Sequence, residues 1–135
     1  MPNLAKNIIS LLFIFSLTSC LFDSGTDNVV GDYKVTWIDV IESRNLNKQE
    51  ELVPAYVFAV GHDSKFIFVK QHPLKRTSTE KIDTTIINYY IIERTTTEFQ
   101  DKPKYGPLTK TAFDSLCSKL DVKGVEFDLT YPTNL

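Results

Sequence analysis

Thr84-Thr85-Ile86-Ile87-Asn88-Tyr89-Tyr90-Ile91-Ile92-Glu93-Arg94 decides the fold. β-Branched and aromatic residues dominate it, and such residues suit a pleated, at least half-buried surface. Its two alternating sets, Ile87/Tyr89/Ile91 and Ile86/Tyr90/Ile92, are both largely apolar. The stretch is therefore expected as a central strand, in a sheet covered on one face and at least half-covered on the other.

Working outward, Ala55–Val60 and Phe66–Val69 are short apolar runs around Gly61-His62-Asp63-Ser64-Lys65, the pattern of a β-hairpin. Tyr33, Val35 and Trp37 alternate with Lys34 and Thr36, which predicts a strand running towards Ile41. The polar stretches Glu42–Glu51 and Gln71–Asp83 read as surface loops. Downstream, Tyr105-Gly106-Pro107-Leu108-Thr109 reads as a turn into a helix over Lys110–Leu120, whose residues Phe113, Leu116, Cys117 and Leu120 share one face. Thr109 stands at the N-cap, Leu108 and Phe113 at the positions of a hydrophobic staple, and Gly124 as the stop signal. Val125–Tyr131 alternates apolar with polar, as an edge strand does. The expected class is α+β: an antiparallel sheet of about five strands with one helix packed on it.

The N-terminus carries different information. Lys6 precedes the run Ile8-Ile9-Ser10-Leu11-Leu12-Phe13-Ile14-Phe15-Ser16, which ends in Leu17-Thr18-Ser19-Cys20. Charge, apolar run and small residues in that order form a secretion signal. A membrane-spanning helix needs roughly 20 apolar residues, and this run is about half that length. A plain secretory signal would end in a small-x-small site and leave Cys20 as a coincidence. The arrangement instead resembles the lipobox of bacterial lipoproteins, which implies that Cys20 is lipidated and becomes the mature N-terminus. Several acyl chains then hold the protein on a bilayer far better than one can. The resulting organisation is a signal peptide over residues 1–19, a lipidated Cys and flexible tether over 20–28, and a single α+β domain over 29–135. Leu21 stands where an Asp would mark inner-membrane retention, and Asp23 is alone where a surface-export signal would have an acidic cluster. In a Gram-negative cell the resemblance thus implies the outer membrane, facing the periplasm.

Composition narrows the partners. The formal charge of −2 becomes −3 once residues 1–19, with Lys6, are removed. No basic stripe dominates, so nucleic acid is not expected as a partner, and the lipid rather than charge is expected to hold the membrane. With Cys20 consumed by lipid, Cys117 has no partner for a disulfide, and its place on an apolar helix face predicts an inert, buried thiol.

The sequence offers no catalytic set, no metal site and no cofactor motif. His62-Asp63-Ser64 holds the residue types of a hydrolase triad, but three consecutive turn residues cannot converge as a triad must. His62 and His72 stand at opposite ends of one predicted strand, roughly 30 Å apart, too far to share an ion. What remains is aromatic surface. Trp37 and Tyr90 are the candidate partner-binding aromatics, against the alternative that they fill the core.

Lys65–Pro73, Asn88–Ile92 and Tyr105–Thr109, followed by a Phe-bearing helix, resemble a family of small bacterial lipoproteins classed only as a domain of unknown function, over about Gly31 to Tyr131. That family transfers no functional residue. The expected function is a non-enzymatic binding or structural module of the cell envelope, with an envelope protein or cell-wall component as partner. The alternative is an inhibitor or immunity-type protein that neutralises a toxin or hydrolase outside the cytoplasm. An enzyme would need a pocket with convergent polar groups.

Overall fold

The computed structural model describes residues 23–95 and 103–132. Eleven strands and one helix follow in order: β1 (Ser24–Val30), β2 (Tyr33–Ile38), a 3₁₀ turn (Ile41–Ser43), β3 (Asn45–Lys48), β4 (Glu50–Val53), β5 (Val57–His62), β6 (Phe66–Gln71), β7 (Leu74–Lys75), β8 (Ser78–Ile82), β9 (Asn88–Glu93), β10 (Lys104–Leu108), α1 (Lys110–Lys119) and β11 (Leu129–Thr130). They form a four-stranded sheet β1-β2-β3-β4, a five-stranded sheet β10-β9-β6-β5-β11 and the separate hairpin β7-β8, with antiparallel pairing throughout. The α+β class stands, but three sheets replace the single sheet expected.

Period-two alternation explains the layers. In β6, Ile67 and Val69 turn to one side and Phe66 and Phe68 to the other; in β9, Tyr90 and Ile92 oppose Tyr89 and Ile91 in the same way. The first set meets Tyr33, Val35, Leu46 and Val53 of the four-stranded sheet, making an aliphatic core between the two sheets. The second set meets Phe113 and Cys117 of α1, making a smaller, aromatic core in which Phe68 and Phe113 stand edge to face at 6.2 Å. β9 is an inner strand covered on both faces, as its two apolar sets predict.

Helix α1 starts where the sequence places it. The Thr109 side-chain hydroxyl accepts the Ala112 N–H at 3.2 Å, and Leu108 packs in the same cluster as Phe113. It spans Lys110–Lys119 with Leu120 as its C-cap, in line with the expected Lys110–Leu120, but Asp121 rather than Gly124 closes it. Asp121 takes a left-handed φ of 54°, the Val122 N–H donates to the Cys117 carbonyl at 2.9 Å, and the Asp121 N–H donates to Ser118 at 3.3 Å. This is a Schellman closure with Asp in the place usually taken by Gly, and Val122 adds the accompanying apolar contact. The chain then runs along β5, where Gly61 lets it approach. A Cβ on Gly61 would lie 1.7 Å from the Glu126 carbonyl oxygen, so no side chain fits between the two backbones. Residues 125–131 alternate in burial as expected, although ladder pairing is confined to Leu129 and Thr130.

Several expectations are corrected. Residues 24–28, read as a flexible tether, form most of β1 and pair with β2 from Ser24↔Ile38 to Asn28↔Lys34. The Glu42–Glu51 loop is in fact the 3₁₀ turn, β3 and the start of β4, and Arg44 and Leu46 within it are buried. The Gln71–Asp83 loop contains the β7-β8 hairpin. Tyr105–Leu108 belongs to a strand rather than a turn. Ile86 and Ile87 precede β9 and are exposed, because β9 pairs with β6 only from Asn88↔Gln71 onward.

Candidate functional site

The hairpin turn at the β5-β6 end is built by its own polar residues. One Asp63 carboxylate oxygen accepts the Lys65 and Phe66 N–H groups, each at 2.7 Å, and Arg94 donates to the Asp63 carbonyl at 2.6 Å. Asp63 is thereby spent on the turn, while His62 and Ser64 point to solvent. The three do not converge.

His72 lies at the other end of β6 and has a structural task. Its ring stacks on Phe58 at 4.1 Å with the planes 11° apart, and its Nδ1 is 2.8 Å from the Ile86 carbonyl. A carbonyl can only accept, so Nδ1 carries the proton and donates. The ring is buried and far from His62 along the hairpin. Among the described residues no group of three or more His, Cys, Asp and Glu side chains is placed to hold a metal ion.

Of the two candidate binding aromatics, Tyr90 is corrected. It is 5 % exposed, faces the four-stranded sheet, and burial pushes its phenol pKa up. It offers no anchor to a partner. Trp37 is half-buried and lies opposite Gly25, where a Cβ would lie within 2 Å of the indole. One face of the ring is therefore committed to β1. Cys117 is buried beneath α1, and burial with the nearby Asp114 charge pushes its thiol pKa up, so the inert reading agrees with its surroundings. Cys20, the expected lipidation site, lies outside the described residues.

One cluster escaped the sequence. Arg44 is 3 % exposed with its guanidinium 3.9 Å above the Tyr131 ring, and the Tyr131 hydroxyl donates to the Asp27 carboxylate at 2.8 Å. Burial lowers the Arg44 pKa from its ordinary value; burial and the Asp27 hydrogen bond raise that of Tyr131. The trio ties β1, the start of β3 and the chain after β11 into one joint. Nothing in the run around Arg44 separates it from solvated neighbours, so no sequence signal marked it.

Among the described residues, clefts open at both ends of the sheets, and two of them can be compared. The larger of these, about 480 Å³, lies between the 3₁₀ turn and the β7-β8 hairpin and is lined by Val40, Glu42, Tyr56, Lys75, Lys81, Ile82 and Thr84. The smaller, about 290 Å³, lies beside the β1-β2 turn at Gly31 and Asp32 and reaches Ser64 and Arg94. Neither brings a nucleophile against a base.

Two antiparallel sheets packed face to face, with a helix and an extended return segment on the outer face of one, define the architecture. The chain belongs to the family described as Protein of unknown function (DUF3997), whose model matches residues 29–131. No curated protein and no solved structure matches it.

Proposed function

We propose that the protein is a lipid-anchored protein of the bacterial cell envelope, attached through Cys20 and, in a Gram-negative cell, facing the periplasm from the outer membrane. It works as a non-enzymatic binding or interaction module. The observation that carries this reading is the sequence Leu17-Thr18-Ser19-Cys20 at the end of a short apolar run. β1 begins at Ser24, so an anchor at Cys20 would leave almost no chain between the lipid and the folded body. Among the described residues no helix is long and apolar enough to cross a membrane.

Metabolic labelling with an alkynyl fatty acid tests the anchor. The wild-type chain takes up label and stays with membranes, and Cys20→Ala loses both. Retention of label by Cys20→Ala overturns the anchor. The binding role is tested in a deletion strain: His62→Ala with Ser64→Ala, both exposed and outside the packing, leaves complementation intact. Loss of function in that folded, lipidated variant would point to chemistry at the turn. Affinity capture from solubilised membranes identifies the partner, and recovery of a single stoichiometric toxin or hydrolase would turn the reading to an inhibitor.

A further inference from the structure

Five large apolar side chains are exposed among the described residues: Ile38 at 63 %, Val40 at 52 %, Ile86 at 47 %, Leu74 at 41 % and Ile87 at 39 %. Isolated exposed apolar residues are ordinary, but a group gathered on one part of a small protein is not. These five belong to one end of the two sheets. The Ser43 hydroxyl lies 2.7 Å from the Val40 carbonyl oxygen and 2.9 Å from that of Ile38, sharing its one proton between them, and the adjoining Arg44 carbonyl accepts the Val57 N–H at 2.9 Å. Tyr56, next to Val57, exchanges backbone hydrogen bonds with His72, and the His72 ring bonds the Ile86 carbonyl. Leu74 follows two residues on and pairs with Ile82, which lines the larger cleft together with Val40.

The chain enters the fold at this same end. Ser24 pairs with Ile38, and the Asp39 N–H donates to the Asp23 carbonyl at 2.6 Å. Three residues of chain reach at most about 11 Å, so Cys20 is confined to the neighbourhood of this apolar end. Trp37 is here too, half-buried beside Ile38, and Trp favours the boundary between water and hydrocarbon. The opposite end, with the Gly31-Asp32 and His62–Lys65 turns, contributes none of the five.

We infer that this end, Ile38, Val40, Leu74, Ile86 and Ile87 with Trp37 at its margin, is a membrane-seating surface that rests in the bilayer interface and fixes the orientation of the folded body. The inference rests on the lipid anchor proposed above and adds to it: the body lies against the bilayer by one defined end instead of swinging on its lipid. Charge at this end is mixed, with Lys75, Arg76 and Lys81 against Asp23, Asp39, Glu42 and Asp83. Seating therefore depends on apolar contact, works on zwitterionic lipid and changes little with salt.

Trp37 is the single tryptophan of the chain, which makes the test direct. The native lipidated protein is reconstituted in phosphatidylcholine vesicles with and without lipids brominated near the glycerol backbone. Trp37 emission should shift to shorter wavelength relative to the detergent-free Cys20→Ser chain in buffer and be strongly quenched by the brominated lipid, with little change between low and high salt. A second reporter, Ser64→Trp in a Trp37→Phe background, should stay unquenched on the same vesicles. Ile38→Glu with Val40→Glu, and separately Ile86→Glu with Ile87→Glu, change only exposed positions and should abolish the quenching while leaving the lipid label and membrane association in place. If the labelled, anchored wild-type protein shows no quenching of Trp37, or equal quenching at both reporters, the seating surface is wrong while the anchor stands. If the chain carries no lipid label, the anchor and the inference built on it both fall.

Discussion

The two faces of the five-stranded sheet are covered in different ways. Against α1 the core is small and aromatic, with Phe66, Phe68, Tyr89 and Phe113 around Ile91 and Cys117. Against the four-stranded sheet it is larger and mainly aliphatic, and β3 and β4 of the partner sheet are short, each with one buried residue among polar neighbours. The helix face thus depends on a few large side chains from a regular amphipathic element. The sheet face depends on many small contributions, one buried residue from β3, one from β4 and two from β2, held in place by pairing. On that outer side the Thr36 hydroxyl donates to Asn45 at 2.8 Å, Asn47 donates to both Thr36 and Asn45, and Asn45 donates to Glu51 at 3.1 Å. Hydrogen-bonded side chains there do for register what hydrophobic alternation does elsewhere.

The largest test of this contrast removes one side chain from each face. Phe113→Ala should cost about 3–5 kcal/mol, because the ring contacts both Phe68 and Tyr89 and its loss leaves a cavity. Leu46→Ala, fully buried in the other core, should cost about 2–5 kcal/mol. Urea melts of the chain from residue 20 carrying Cys20→Ser measure both. If Phe113→Ala unfolds the protein while Leu46→Ala passes unnoticed, the four-stranded sheet is decoration rather than half of the core.

The contrast also explains what could be read in advance. The helix, its Thr109 cap and the β5-β6 hairpin were legible because each buries a periodic stripe bounded by turn residues. β1 was not, since Ser24-Gly25-Thr26-Asp27-Asn28 is an edge strand with exposed and half-buried residues in alternation, and its composition is that of a linker. β3 and β4 were missed because each carries a single fully buried residue among polar neighbours. Ile86 and Ile87 erred in the other direction: apolar residues extended the expected strand past the point where β6 ends. Tyr90 was placed in the right strand but on an undecided face, which only the partner sheet resolves. Of the candidate site, the reading of Cys20 as a lipid attachment point rests on local pattern alone, whereas the exposed apolar end depends on where neighbouring strands stop and is invisible without the fold.

β1 itself provides the second test. A chain beginning at Val29 keeps the family-matched region but loses the rungs from Ser24 to Asn28 and the Asp27 carboxylate that Tyr131 engages. With each net hydrogen bond worth about 0.5–1.5 kcal/mol, partial exposure included, the truncation should cost about 2–4 kcal/mol. A truncated chain as stable as one beginning at residue 20 would restore the tether reading for these residues.

Tyr131→Phe sharpens the comparison chemically. Losing a hydrogen bond to a charged acceptor should cost about 1.5–3 kcal/mol near neutral pH. The pH dependence has a definite sign. Tyr131 and Tyr90 both have pKa values raised in the folded state, so their contribution is fully present below the ordinary tyrosine value of about 10. Above it the unfolded chain releases protons first, and stability falls as pH rises. Stability measured between pH 8 and 11 should therefore decline at the alkaline end, and less steeply in Tyr131→Phe, with Tyr90 supplying the remainder. A decline identical in slope would mean that Tyr131 is as exposed to solvent when folded as when unfolded.

The smallest expected effect falls on the helix face. Thr109→Ala removes the acceptor of the Ala112 N–H and should cost about 1 kcal/mol, whereas Thr109→Ser, which keeps the hydroxyl, should stay within a few tenths. The bond is exposed at 3.2 Å, so water can replace part of it, and this holds the loss well under that of Phe113→Ala. The ratio of the two carries the information. If the helix is held mainly by its aromatic anchor, loss of the cap should fray only the first turn, seen as faster amide exchange at Lys110–Ala112 with Phe113–Lys119 unchanged. Should Thr109→Ala instead accelerate exchange along the whole helix, α1 owes its order to its terminus as much as to its packing, and the account of this face as a core built on one ring would need to be replaced.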